Sequence, residues 1–250
     1  MFSIFKKKSK VSVDLSGIGT DMHSHLLPGI DDGSPDIETS IQLISGLQEL
    51  GYKQFITTPH ILWDMYKNNA ATITSAYAKL QYAFLENNFK ASLKPAAEYF
   101  LDEHFDELLQ TDTPLLTLHD NWVLVEFSFV TTPLNFKEKL FNMQMKGYQP
   151  VLAHPERYLY FMADKKWYDE LKAAGCYFQV NILSLAGYYG KASLQLAHYL
   201  INKQYVNLLG TDCHHFRHLN ALRSSPDIMD PIQSLLDSGQ LLNPSLEVSP

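Results

Sequence analysis

The chain has 250 residues, 46% of them hydrophobic, and a formal charge of −7. That length and apolar content suit one globular domain with a sizeable core, and the acidic balance argues against the basic surface that nucleic-acid binding requires. No apolar run approaches the ~18 residues of a membrane span, and the two cysteines, Cys176 and Cys213, form neither a Cys-x-x-Cys motif nor a disulfide framework.

Residues 1–15 read as a basic, flexible tail carrying Lys6, Lys7, Lys8 and Lys10. The tail lacks the apolar stretch of a signal peptide. Thiols that read as reduced make a cytoplasmic location the expectation. Ile18 to His25 is expected as the first strand, followed by a turn-rich loop holding Pro28, Gly29 and Asp32-Gly33. Ser34 suits a helix N-cap and Pro35 the first helical position, and Ile37, Ile41, Ile44 and Leu47 recur at helical spacing up to Gly51. Lys53 to Thr58 is a β-branched, aromatic strand ending at Pro59-His60.

The pattern then repeats. Ile73, Tyr77, Leu80 and Phe84 mark a helix, and Ala91 to Tyr99 a strand ending near Glu98. A short helix over Asp102 to Gln110 precedes the strand Trp122 to Phe127, which carries Glu126. A helix through Phe136, Leu140 and Met143 leads to a strand from Pro150 to Ala153, ending at His154. Lys165 to Ala174, Cys176 to Asn181, Lys191 to Lys203 and Tyr205 to Gly210 continue as helix, strand, helix and strand, the last reaching Asp212 and His214. Helical sequence around Asp227 to Leu236 closes the chain. About seven strand–helix units in alternation predict a parallel sheet. Polar residues recurring at strand ends further predict a single distorted TIM-like (β/α)7 barrel over residues 16–250, its site at the C-terminal ends of the strands.

Nine potential ligands lie at or beside those strand ends: His23, His25, Asp32, His60, Glu98, Glu126, His154, Asp212 and His214. In the pair His23-Ser24-His25 the imidazoles stand at i and i+2, which share one face of a strand. A lone His-x-His is weak; the recurrence at successive strands strengthens it. Imidazole and carboxylate without thiolate suit zinc, manganese or iron, and nine donors exceed what one ion takes, so two or three ions sharing carboxylates are expected. Such a site can activate water and clamp phosphoryl oxygens. Arg157 is the best phosphate-gripping fork, Arg217 a weaker one. Tyr158 and Tyr160 either line an aromatic pocket or pack. His104, His119 and His198 fall off the pattern, while His215 and His218 flank the last motif as candidates for substrate binding.

The ordered segments TDMHSHLLPGIDDG, TTPH, AAEYF, LVEFS, LAHPERY, QVNILSLAGYYG and LLGTDCHH resemble the polymerase-and-histidinol-phosphatase superfamily. Within it they are similar to bacterial tyrosine-protein phosphatases of the capsule and exopolysaccharide type. The resemblance spans about Asp21 to His215. It implies a trinuclear site, most often of manganese, with iron or zinc as alternatives. In it His23, His25, Glu98 and Asp212 hold one ion, Glu98, Glu126 and His154 a second, and Asp32, His60 and His214 a third. It further implies a metal-bridging hydroxide as nucleophile, Arg157, Asp212 and His60 as the catalytic set, and Arg157 with Arg217 as substrate-binding residues. Arg223 competes with Arg217 for that last role. The implied partner is a phosphotyrosine protein, the C-terminal tail of a bacterial tyrosine autokinase controlling polysaccharide export.

Two other enzyme readings compete. One is a small-molecule phosphatase of the same superfamily, of the histidinol-phosphate type. The other is an amidohydrolase, which also opens on His-x-His but uses a lysine or histidine bridge rather than two glutamates. A cysteine-dependent phosphatase is disfavoured directly, because neither cysteine has an arginine six residues on.

Overall fold

The computed structural model describes residues 12–132 and 135–248. The lysines of the expected tail, Lys6 to Lys10, lie outside the described residues. Its expected boundary at residue 15 is too late. Val13 and Leu15 are buried in the core, and Leu15 N–H donates to Leu50 O at 2.7 Å.

The first strand, β1 (Thr20–Asp21), is shorter than expected. It leads through the histidine-bearing loop to α1 (Ile37–Glu49). Asp36, not Ser34, caps this helix, accepting from Thr39 N–H at 2.8 Å. Ser34 instead donates its hydroxyl to Asp36 O, so Pro35 sits just before the cap. β2 (Gln54–Thr57), β3 (His60–Ile61), α2 (Ala70–Glu86), β4 (Ser92–Pro95), β5 (Glu98–Phe100) and α3 (Glu103–Gln110) follow. Then come β6 (Trp122–Glu126), α4 (Phe136–Met145), β7 (Gln149–Ala153), α5 (Lys166–Ala173) and β8 (Tyr177–Asn181). The short α6 (Ile182–Leu185), α7 (Lys191–Asn202), β9 (Leu208–Gly210), α8 (Phe216–Arg223) and α9 (Met229–Asp237) complete the chain.

The strands pair in parallel throughout, as the alternation predicts, but in two sheets rather than one continuous ring. One sheet has the order β1-β2-β4 and the other β3-β5-β6-β7-β8-β9. The division has a local cause. Pro59 separates β2 from β3 and Pro95 ends β4, and a proline contributes no ladder N–H. Single hydrogen bonds span the breaks: Ala96 N–H to Thr57 O at 2.8 Å and Glu98 N–H to Pro59 O at 3.1 Å. At the other margin, Asp212 N–H donates to His23 O (2.8 Å) and His25 N–H to Cys213 O (3.0 Å).

Helices cover the sheets with apolar stripes, as parallel strands require burial on both faces. Ile44 and Leu47 of α1 and Leu80 and Phe84 of α2 enter one core, with Val123, Leu152, Phe178 and Leu209 from the strands. A second cluster, including Met22, Ile56, Leu124, Val151 and Leu208, fills the space between strands. Among the described residues no helix is long and apolar enough to cross a membrane.

Candidate active site

The polar residues leave the strands at one end, and the backbone there is unusual. His154, directly after β7, and Asp212, two residues past β9, have φ of 35° and 50°. Non-glycine residues rarely occupy this left-handed region, and those that do cluster where function demands a particular side-chain direction. Two glycines permit the close approaches. A Cβ on Gly33 would stand 2.3 Å from His25 O, and one on Gly210 would stand 2.6 Å from His23 Cβ.

All nine predicted ligands converge. Their donor atoms fall into overlapping groups, each within 4.8 Å: His25, Asp32, His60 and His214; His23, His25 and Asp212; His23, Glu98 and His154; and His60, Glu98 and Glu126. Glu98 lies at the centre. Its Oε1 is 3.0 Å from His154 Nε2, and its Oε2 is 3.2 Å from both His23 Nε2 and His60 Nδ1. Glu126 Oε1 is 3.1 Å from His60 Nδ1, and Asp32 Oδ1 lies 3.5 and 3.6 Å from Nε2 of His60 and His214. His23, His25 and Glu98 are wholly buried, whereas the Asp32 side chain is half exposed.

Proton placement shows what the cluster can hold. His25 Nδ1 meets Asp31 Oδ2 at 2.8 Å, and His23 Nδ1 meets Gln179 Oε1 at 2.7 Å. Both outer partners are acceptors, which puts the imidazole hydrogen on Nδ1 and turns the Nε2 lone pair inward. Those two Nε2 atoms then face each other at 3.4 Å and face carboxylate oxygens at 3.2–3.5 Å. Acceptors at such separations require cations between them, protons or metal ions. Without metal, protons would take that place. Burial disfavours the imidazolium of His60, yet Glu126 and Glu98 outweigh it and push the group up to about 9. His23 and His25 are likewise raised, while Glu98 and Asp212, though buried, are held far below the usual carboxylate range by the surrounding histidines. His60 Nδ1, Glu98 Oε2 and His154 Nδ1 are nevertheless buried without a properly directed hydrogen bond. An all-nitrogen-and-oxygen donor set with orphaned buried atoms fits divalent metal ions.

Arg157 borders this cluster. Its Nη1 donates to Asp212 Oδ2 at 3.0 Å, and Phe129 and Tyr189 flank the guanidinium at 4.5 and 4.2 Å. These side chains, with Asp32, His60, Glu126, His154, His214, His215, Arg217 and His218, line an open pocket of about 390 Å³. Arg217 sits exposed on its rim, nearest to His215 Nε2 at 3.5 Å. Arg223 is elsewhere, paired with Glu49. A larger groove of about 1040 Å³ between α3 and α4 contains none of the nine ligands and neither site arginine, so the smaller pocket is the one that gathers the candidate site residues.

Several roles emerge only in three dimensions. Asp31, not singled out in the sequence, is almost wholly buried, bonds His25 Nδ1 and accepts from His60 N–H at 3.2 Å. The burial that would raise its carboxyl is outweighed by His25 and His60, which bring it down to about 2. Asn181 Nδ2 donates to Asp212 Oδ2 at 2.7 Å. Buried Glu156 anchors the segment after His154 by accepting from Asn181 N–H and the Ser184 hydroxyl. Tyr158 and Tyr160 pack, their hydroxyls donating to Ala153 O and Ser128 O. Cys213 is a buried neighbour of the site, and both cysteines are free. His218 Nδ1 accepts from His214 N–H. His104 stacks on Trp63 at 3.8 Å, and His119 lies edge-on to Trp122.

Known proteins are similar to this chain in sequence and fold. The chain is 29% identical over 201 residues to the tyrosine-protein phosphatase YwqE of Bacillus subtilis (strain 168), covering 80% of this chain and 79% of that protein. It is 28% identical over 201 residues to the tyrosine-protein phosphatase CpsB of Streptococcus pneumoniae, covering 78% and 82%. It superimposes with a TM-score of 0.77 and 27% identity, over 86% of each chain, on a crystal structure from a study of YwqE from Bacillus subtilis and CpsB from Streptococcus pneumoniae, described there as unique metal-dependent tyrosine phosphatases. Residues 19–235, from the strand before His23 to the last helix, match the family described as "Capsular polysaccharide synthesis, CpsB/CapC", and the chain belongs to that family.

Proposed function

We propose that this protein is a metal-dependent protein-tyrosine phosphatase. The observation that carries the reading is the convergence of nine imidazole and carboxylate groups, Glu98 central among them, with Arg157 beside them lining an open pocket. Family membership and relatives named as tyrosine phosphatases supply the reaction class.

His23, His25, Glu98 and Asp212 would hold one divalent ion, Glu98, Glu126 and His154 a second, and Asp32, His60 and His214 a third, most often manganese. Such ions, when bound, acidify water and neutralise charge on phosphoryl oxygens. The chain's own residues do the rest. Arg157 offers a planar, permanently charged fork to the phosphate, and Asp212 and the two flanking rings limit its motion. Asp31 and Gln179 hold His25 and His23 in the tautomer that presents Nε2. Asn181 steadies Asp212. The phenol of tyrosine, with a pKa of about 10, is a far less basic leaving group than a serine alkoxide and needs less proton assistance.

The substrate we infer is the phosphorylated C-terminal tail of a bacterial tyrosine autokinase acting in polysaccharide export, and the location the cytoplasm. Two buried free thiols agree with a reducing compartment. We also read the two sheets as one distorted seven-stranded barrel, supported by the bonds Ala96 N–H to Thr57 O and Glu98 N–H to Pro59 O, which join the β2–β3 stretch to the β4–β5 stretch, and by Asp212 N–H to His23 O at the other margin.

The test is hydrolysis by the manganese-loaded full chain of a phosphotyrosine peptide, a phosphoserine peptide, histidinol phosphate and an acyl-amide panel. Highest kcat/KM on phosphotyrosine is expected. Preference for histidinol phosphate would move the assignment to a small-molecule phosphatase, and activity surviving exhaustive chelation would overturn the metal mechanism.

A further inference from the structure

We propose that Phe129 is a specificity-determining residue, a wall that favours an aryl over an alkyl phosphate; this rests on the phosphatase reading above. Among the described residues lining the reactive pocket, Phe129 alone has no polar atom in its side chain. The ring is 46% exposed, whereas Phe127, two residues earlier, is fully buried in the core. It is also held in place. It stacks on His154 with centroids 5.4 Å apart and planes 30° apart, and it stands 5.7 Å from the ring of Tyr158.

Its position relative to Arg157 gives the exposed surface a use. The guanidinium carbon is 4.5 Å from the Phe129 centroid. A phosphate gripped by that guanidinium carries its leaving group through a single ester oxygen. In phosphotyrosine the ring begins at that oxygen; in phosphoserine a methylene and then backbone occupy the same space. Aromatic rings attract at centroid separations of about 4.5–7 Å, so a ring tethered to the Arg157-bound phosphate comes within range of Phe129. An alkyl ester offers no such partner.

A purely supportive role for Phe129, holding Arg157 by its cation–π contact, would weaken all phosphate esters alike. The experiment therefore reads a ratio. Full-length wild type, Phe129→Ala, Phe129→Leu and Phe129→Trp are compared on phosphotyrosine and phosphoserine peptides of one sequence, and for inhibition by phenylphosphonate and methylphosphonate. Thermal midpoints report folding. Phe129→Ala should lose about two- to tenfold more kcat/KM on phosphotyrosine than on phosphoserine, and the gap between the two phosphonate inhibition constants should narrow by a similar factor. Leucine should fall between, and tryptophan should keep the preference. Both ratios unchanged in Phe129→Ala, whatever happens to absolute rate, would overturn the proposal. Should Phe129→Ala fail to fold, the two ratios are read from the leucine variant instead, and their constancy there overturns the proposal equally. Wild type inactive on every phosphomonoester would instead overturn the functional reading itself.

Discussion

Glu98 and His154 come from strands separated by β6, yet Glu98 Oε1 and His154 Nε2 stand 3.0 Å apart in the core of the protein. The other Glu98 oxygen faces His23, His25 and His60. One buried carboxylate thus touches four imidazoles. Glu98→Gln keeps the shape and removes the charge. Outer partners of metal ligands alone are worth about 10–100-fold in activity or metal affinity, so this shared group should cost more than about 100-fold in kcat. Manganese titration followed by thermal unfolding should also show a weakened or absent stabilisation.

Asp31→Asn tests a residue one bond further out. The amide can still accept from His60 N–H but loses the charge that holds His25 Nδ1–H. A drop of about 10–100-fold in manganese affinity is expected, measured by calorimetric titration, with the fold retained in circular dichroism.

Arg157→Lys keeps a positive charge and loses the planar fork. A charge-assisted hydrogen bond contributes about 1.5–3 kcal/mol, so kcat/KM on a phosphotyrosine peptide should fall about 10–100-fold. Arg217→Ala, on the exposed rim, should lose less. An Arg217 effect as large as that of Arg157 would make the two arginines equal partners.

Removal of metal should be visible without any substrate. Ligand at 100 times its dissociation constant stabilises a fold by about 2.7 kcal/mol, and 1 kcal/mol moves the midpoint of a chain this size by about 2–4 °C. Chelated protein should therefore unfold about 5–10 °C below the manganese form. Because the ions displace protons from His23, His25 and His60, metal binding should also release protons to the buffer near neutral pH.

Both thiols are kept protonated by their surroundings. Burial pushes Cys176 up to about 12 and, with Asp21 and Asp212 beside it, raises Cys213 further. A raised thiol pKa means the reactive thiolate is scarce at every pH below that value. Native protein at pH 8 should resist iodoacetamide, and Cys213→Ser should retain phosphatase activity. Rapid alkylation that abolishes activity would contradict a metal-centred site.

The sequence alone determined the parallel α/β organisation, because strand and helix periods differ and alternate cleanly along the chain. It also placed the candidate ligands and Arg157 at or beside the expected strand ends, where apolar runs give way to proline, glycine or polar residues. The tertiary structure decided what depends on direction and long-range contact. Asp31 and Asp32 are adjacent in one turn and indistinguishable as letters; only the folded loop turns the first inward onto His25 and leaves the second half in solvent. Gln179, Asn181 and Tyr189 sit in the segment QVNILSLAGYYG without any role legible there, and Phe129 lies outside the quoted segments; their placement beside His23, Asp212 and Arg157 follows from strand register and loop path. Arg217 and Arg223 are separated by the geometry of α8, which places one at the pocket rim and pairs the other with Glu49. The split into two sheets depended on where Pro59 and Pro95 fall relative to the ladder, a matter of hydrogen-bond partners that no single segment of sequence contains.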